Sequence, residues 1–240
     1  MELQTAVIIV AGGSGTRCSG STGKALPKQF RLLGNRPVLA RTIDRFAAAL
    51  RGAEIVVVLP ERYIPFWNDF SARFGVAKHA VVAGGTERFH SVQCGLAALR
   101  SEPELIAVQD GVRPFASVEL IRRVAEAAAE SGAAIPVVVP VDSFRETTES
   151  GSQVVDRSRL RIVQTPQIFR AEWLRAAYEQ AFDPRYTDDA SAVEAAGHPV
   201  QLVAGERTNL KLTTPDDFEL AEAWLAAREA ADEADEDENA

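Results

Sequence analysis

The chain has 240 residues, 46% hydrophobic and 25% charged, which suits a soluble protein with one sizeable core. Its net charge of −8 speaks against nucleic-acid binding, because phosphate backbones reward clustered Lys and Arg. No apolar run of about 18 residues is present to span a membrane, and two cysteines, Cys18 and Cys94, make neither a disulfide framework nor a CxxC metal spacing.

Met1-Glu2-Leu3-Gln4 passes straight into a strand, without the basic region and cleavage site of a signal peptide, so a cytoplasmic location with reduced thiols is expected. The first strand is read over Ala6–Val10. It runs into Ala11-Gly12-Gly13-Ser14-Gly15-Thr16-Arg17, and Leu26-Pro27-Lys28-Gln29-Phe30 follows. Glycines let the backbone turn sharply and approach a ligand, since no Cβ intervenes. The N–H groups of such a turn cradle an anion, and Arg17 and Lys28 add charge-assisted hydrogen bonds to phosphate. A triphosphate is the natural guest.

Val38–Leu50 has helical spacing of apolar residues. Glu54–Leu59 is a strand stopped by Pro60, Ile64–Phe74 a helix, and Ala80–Ala83 a short strand ending at Gly84-Gly85. Phe89–Leu99 returns to helix; Leu105–Val108 is a strand followed by Asp110-Gly111-Val112-Arg113-Pro114; Val118–Ser131 is a helix closed by Gly132. This alternation predicts an α/β fold: a Rossmann-like, mostly parallel sheet with helices on both faces. Trp67, Trp173 and Trp224 read as core residues, while His79, His90 and His198 form no ligand pattern.

Ile135–Val141 is apolar, but Asp142–Ile162 is polar and extended, with a turn at Gly151. This predicts a β-hairpin arm over about 136–162 that leaves the body. An isolated hairpin is only marginally stable, so the arm is expected to pack on a second copy of the chain and make a homodimer. Then come Thr165-Pro166-Gln167, a helix near Ala171–Phe182, a strand near Gln201–Val203 and a last helix from about Pro215 to Ala230. Residues 1–230 read as a single domain. Residues 231–240 read as an acidic disordered tail, with six carboxylates between Asp232 and Glu238.

Open parallel sheets bind ligands beyond the C-terminal ends of their strands. Ala11–Arg17, Gly84–Arg88 and Asp110–Arg113 fall there and should converge on one pocket. A dinucleotide-binding dehydrogenase wants G-x-G-x-x-G; here the sixth position is Cys18, and no acid follows the second strand until Glu61. A Walker A reading lacks its Gly-Lys-Ser/Thr. Asp110 reads either as a carboxylate near sugar hydroxyls or a Mg²⁺-bound phosphate, or as a turn with a structural Arg113. Gly84–Arg88 reads as a turn capping the next helix through Thr86, or as backbone presented to a base edge. By themselves, Lys211 in Asn209-Leu210-Lys211-Leu212 reads as a solvated charge and Arg157 in Val154-Val155-Asp156-Arg157 as an ion-pairing residue of the arm.

Together these segments resemble one family. A-G-G-x-G-T-R followed by P-K-Q-F opens the sugar nucleotidyltransferases. Gly84-Gly85-Thr86-Glu87-Arg88, Asp110-Gly111-Val112-Arg113-Pro114, Val155-Asp156-Arg157, Gln164-Thr165-Pro166-Gln167, Thr187-Asp188-Asp189-Ala190-Ser191 and Asn209-Leu210-Lys211-Leu212-Thr213-Thr214-Pro215 follow in order. The whole set resembles the 2-C-methyl-D-erythritol 4-phosphate cytidylyltransferases of non-mevalonate isoprenoid biosynthesis, from residue 6 to about 228.

The resemblance implies cytidylyl transfer from CTP with Mg²⁺, and a homodimer whose arm reaches the partner's active site. It implies that Arg17 and Lys28 stabilise the pentacoordinate α-phosphate. It implies nucleotide binding by Ala11, Gly12, Gly13, Gly15, Gly85, Thr86, Ser91, Asp110 and Gly111. Asp110, Arg113, Asp142, Ser143, Arg157 and Lys211 would bind the alcohol phosphate, with Arg157 and Lys211 among the catalytic residues; Asp110 would touch the metal, held mostly by the CTP phosphates. The chain departs from the family pattern in a longer loop at 18–25, Cys18 for Met, Gln109 for His, Ser143 for Thr and Thr86 for Asp. Ribitol 5-phosphate cytidylyltransferase shares the opening and Arg113-Pro114-Phe115, but Asp156-Arg157 favours methylerythritol phosphate. A catalytically silent nucleotide-binding module is the reading of another class, and the presence of both Arg17 and Lys28 speaks against it.

Overall fold

The run TAVIIV makes β1 (Thr5–Val10) the buried centre of the sheet, and its pleat divides the protein in two. Val7 and Ile9 point into one core and Ile8 into the other. The computed structural model describes residues 4–12 and 26–238, with side chains described as far as Ala227.

In chain order β2 (Leu32–Leu33) and β3 (Arg36–Pro37) form a small hairpin, then come α1 (Val38–Ala49), β4 (Glu54–Leu59), α2 (Ile64–Arg73), β5 (Ala80–Ala83), α3 (Arg88–Ala98) and β6 (Leu105–Asp110). α4 (Val118–Ser131) begins where the Ser117 hydroxyl accepts the Leu120 N–H at 2.9 Å. It ends at Gly132, whose φ of +90° closes the helix; a Cβ there would lie 2.2 Å from the Trp173 ring. β7 (Ala133–Val138), β8 (Phe144–Thr148), β9 (Gly151–Val155), β10 (Ile162–Val163), β11 (Gln167–Arg170), α5 (Ala171–Glu179), α6 (Asp189–Ala195), β12 (Gln201–Ala204) and α7 (Pro215–Glu238) follow.

The sheet runs β10-β7-β11-β6-β1-β4-β5, with β12 also on β7. Pairings β6-β1, β1-β4, β4-β5 and β12-β7 are parallel; β11 pairs antiparallel with both β6 and β7, and β10 antiparallel with β7. The expected mostly parallel sheet therefore holds around β1, and an unforeseen antiparallel strand separates β6 from β7. Helices cover both faces as expected: α1, α2 and α4 pack on one core, and α3, α5 and α6 on the other. A third cluster, with Val112, Phe115, Leu212 and Phe218, seats the loops after β6 and β12 against α7.

β8 and β9 form a two-stranded antiparallel sheet of their own, within the segment read as a hairpin. Trp67 is buried, but Trp173 and Trp224 are only half-buried; Trp173 stacks on His198 instead. Residues 231–238, expected to be a disordered tail, continue α7 as helix, in keeping with their Ala and Glu, both strong helix formers. Among the described residues no helix is long and apolar enough to cross a membrane.

Candidate active site

β6 runs two residues further than its apolar pattern suggests, so Asp110 is its last residue, paired with Val10 at the end of β1. Its N–H donates to Thr165 Oγ1 at 3.1 Å, and its side chain is almost wholly buried. Three cations from three segments surround that carboxylate. Arg113 Nε lies 3.1 Å and Lys211 Nζ 3.0 Å from Oδ2, and Arg88 Nε lies 3.8 Å from Oδ1. Burial alone would raise the Asp110 carboxyl, but Arg88, Lys211 and Arg113 outweigh it and hold it down at about 2.

Beside this cluster, the ends of β1 and β5 meet. Gly12 and Gly84 both face Ser91: a Cβ would stand 3.6 Å from the Ser91 hydroxyl at Gly12 and 2.8 Å at Gly84. Ser91 Oγ donates to the Glu87 carbonyl. Gly111 donates its N–H to Val10 and lies against Ala11. The Ala11 N–H donates to the Val58 carbonyl, and its own carbonyl accepts from Gln29 Nε2 at 2.9 Å. Gln29 is buried and next to Lys28, which opens a short 3-10 turn, Lys28–Phe30. Thr86 does not cap α3; Glu87 holds that position without a side-chain cap bond, and Thr86 Oγ1 meets His90 Nδ1.

The structure thus brings Ala11 and Gly12 together with Gly111 and Ser91, and Asp110 with Arg113 and Lys211, whereas Gly85 lies against His90. Gly13, Gly15, Arg17 and Cys18 lie outside the described residues. Asp142, Ser143 and Arg157 stand exposed on the arm, where Arg157 Nη1 donates to the Val141 carbonyl. Among the described residues, no hydrogen bond or ion pair joins these three to Asp110.

Four residues of this region carry no role in the sequence reading. Arg88, the first residue of α3, pairs through both terminal nitrogens with buried Asp189, at 2.7 and 2.6 Å. Tyr178 donates its hydroxyl to Asp189 at 2.5 Å; burial and Asp189 push its phenol up, so it stays protonated. Gln29 is the fourth. Arg88, Asp189 and Gln29 lie in segments that resemble the family, and a further local signal is Asp188-x-x-Ser191, whose two side chains form a reciprocal capping box at the start of α6.

A family model described as 2-C-methyl-D-erythritol 4-phosphate cytidylyltransferase, IspD, matches residues 5–227. The chain belongs to the IspD family. The 2-C-methyl-D-erythritol 4-phosphate cytidylyltransferase of Bacteroides thetaiotaomicron is 46% identical over 225 residues, 93% of this chain and 100% of that protein. The enzyme of the same name from Geobacillus kaustophilus is 40% identical, over 93% of this chain and 97% of its own. The crystal structure of that cytidylyltransferase from Thermus thermophilus superposes with a TM-score of 0.71 at 34% identity, over 93% of this chain and 98% of the other. An Anaerococcus prevotii 4-diphosphocytidyl-2C-methyl-D-erythritol synthase superposes at 0.78 with 28% identity, over 94% and 97%. As an IspD member the chain is a nucleotidyltransferase, and the dehydrogenase reading falls away.

Proposed function

We propose that this chain transfers the cytidylyl group of CTP to 2-C-methyl-D-erythritol 4-phosphate, releasing pyrophosphate, in non-mevalonate isoprenoid biosynthesis. The observation that carries this reading is the IspD match over residues 5–227, on a chain that gathers three cations around the Asp110 carboxylate at the end of β6.

An oxygen of the acceptor phosphate attacks the α-phosphorus of CTP. The bond from that phosphorus to the oxygen bridging to the β-phosphorus breaks, and pyrophosphate leaves with the electron pair. The nucleophile belongs to the substrate, so the protein contributes positioning and charge neutralisation. Arg17 and Lys28 stabilise the charge on the pentacoordinate α-phosphate. Ala11, Gly12, Gly13, Gly15, Gly85, Thr86, Ser91, Asp110 and Gly111 hold the nucleotide. Because the Ala11 N–H is committed to Val58, only its carbonyl can face a base. A carbonyl accepts from the amino group of cytosine and meets only another acceptor on uracil, which disfavours UTP.

Asp110, Arg113 and Lys211 hold the acceptor in one protomer, and Asp142, Ser143 and Arg157 reach it from the arm of the other. Exposed Val139, Val141, Phe144 and Val154 on and beside the hairpin support that homodimer. A single domain with one arm, working on soluble phosphates, also suits the cytoplasm.

Among the described residues no cluster of three or more His, Cys, Asp or Glu could hold a metal, and Asp110 Oδ2 already meets two cations. The residues therefore fit Mg²⁺ carried mostly on the CTP phosphates, with Asp110, whose Oδ1 lies 3.8 Å from Arg88 Nε, as the side chain it would touch. When bound there, Mg²⁺ neutralises phosphate charge.

The test is pyrophosphate release from purified protein with Mg²⁺ and CTP, comparing methylerythritol 4-phosphate with ribitol 5-phosphate. Release with the first alone is expected. Release with ribitol 5-phosphate alone would keep the fold and overturn the acceptor. Silence with both, in protein that binds CTP, would leave a nucleotide-binding module.

A further inference from the structure

We infer that Arg88 is a positioning residue for this reaction, held by Asp189 and Tyr178 so that it fixes the orientation of the Asp110 carboxylate toward substrate. The inference rests on the function proposed above.

Two of the three cations on Asp110 come from loops. Arg113 lies just past β6, and Lys211 sits half exposed after β12. Both meet Oδ2. Oδ1 faces Arg88, which arrives from a helix on another part of the sheet. Arg88 is not free to swing. Its Nη1 and Nη2 meet the two oxygens of Asp189 in a fork, a geometry that fixes the plane of the guanidinium. Asp189 has no solvent exposure and takes the Tyr178 hydroxyl as well. The Tyr178 ring stacks on Phe89, the residue after Arg88, with centroids 4.5 Å apart. Arg88, Asp189, Tyr178 and Phe89 therefore close a ring.

The start of α6 is itself pinned. Gln167 donates to Asp188 and accepts from the Ala190 N–H, both at 2.9 Å, on either side of Asp189. Stability is a weak reason for such an arrangement, because a buried ion pair is often no better than apolar packing of the same volume. What it provides is a guanidinium immobilised beside the Asp110 carboxylate. Asp110 meets substrate in the ground state and in the transition state alike, so loosening it weakens binding of both and appears in KM.

The experiment compares wild type with Tyr178→Phe, Arg88→Lys and Arg88→Met in steady-state assays with CTP and methylerythritol 4-phosphate, with circular dichroism and thermal melting to establish folding. Tyr178→Phe removes one hydroxyl that touches no substrate and keeps the stacked ring. It should raise the KM of one or both substrates about fivefold with kcat within about twofold. Arg88→Met should raise KM further, and Arg88→Lys, which keeps the charge but not the fork, should fall between Arg88→Met and wild type. A purely structural role lowers the folded fraction, and so the apparent kcat, at unchanged KM; that result overturns the inference. So does wild-type KM in Tyr178→Phe or Arg88→Lys, whichever folds. A silent wild type overturns the proposed function and this inference with it, whereas an active wild type with unaltered variants overturns the inference alone.

Discussion

The ammonium of Lys211 stands 3.0 Å from Oδ2 of Asp110, joining the loop after β12 to the end of β6. The loop is held from both sides of the lysine, and before it the Asn209 side-chain amide donates to the Thr165 carbonyl at 2.8 Å. Leu212 is buried and donates its N–H to the Val112 carbonyl, and Asp217 accepts from the Thr213 and Thr214 backbone amides. Lys211 is thus presented by a fixed backbone. Its side chain is half exposed, so Lys211→Met should fold normally and lose activity, by about a hundredfold or more in kcat/KM. Pyrophosphate release checks this; wild-type turnover would remove Lys211 from the reaction.

Lys28 and Arg17 are expected to carry the largest effects. Either residue changed to Ala should lower kcat by about two to three orders of magnitude with the fold intact, since each loss removes a charge proposed to stabilise the transition state. Single-turnover measurement at saturating CTP isolates that step. A normal rate would mean that other groups neutralise the α-phosphate.

Asp110 should make stability depend on pH in acid. Its carboxyl is held at about 2, below its ordinary value of 3.8. A depressed carboxyl stabilises the fold fully above the unfolded value and loses that contribution as pH falls through the folded one. Compared with Asp110→Asn, wild type should be more stable by on the order of 2 kcal/mol above about pH 4. The gap should close as pH approaches about 2. Urea unfolding of both proteins across that range measures it, and a gap that does not vary with pH would contradict the cation cluster.

Gln29 links the Lys28 turn to the Ala11 carbonyl. Gln29→Met keeps the volume and removes the donor. It should cost about 1 kcal/mol or more in stability. It should also raise KM for CTP more than it lowers kcat, because the carbonyl left to read the base loses its anchor. Denaturant titration and CTP saturation curves with UTP as competitor check both effects; unchanged CTP selectivity would separate Gln29 from base reading.

The arm gives a prediction of another kind. Arg157→Ala and Lys28→Ala should each be nearly inactive, yet a mixture of the two should recover up to about a quarter of wild-type activity as hybrid dimers form with one intact site. No recovery after co-refolding or subunit exchange would argue against an arm that works in trans.

Much of the fold was legible in the chain. β4 and β5 lie where β-branched runs stop at Pro60 and Gly84, and α4 spans the residues between Ser117 and Gly132. Each boundary depends on neighbours within a few residues. β11 was not legible: QIFR is four residues long, and nothing in it says that it will pair antiparallel with both β6 and β7. Asp110 could be recognised as a candidate, but not as the last residue of a strand, because its place in the ladder comes from pairing with Val10.

The sequence by itself determined the alternation of strand and helix, the glycine-rich composition after β1 and the residue types suited to phosphate, since backbone preference and side-chain chemistry are local properties. Only the tertiary structure decided that Arg88, Arg113 and Lys211 converge on one buried carboxylate, that Asp189 and Tyr178 hold Arg88, and that Gln29 reaches Ala11. Apart from Arg113 and Asp110, three residues apart, those contacts join residues distant in the chain, and a charge or hydrogen bond acts over a few ångströms, so strand order and helix packing determine which of those partners meet.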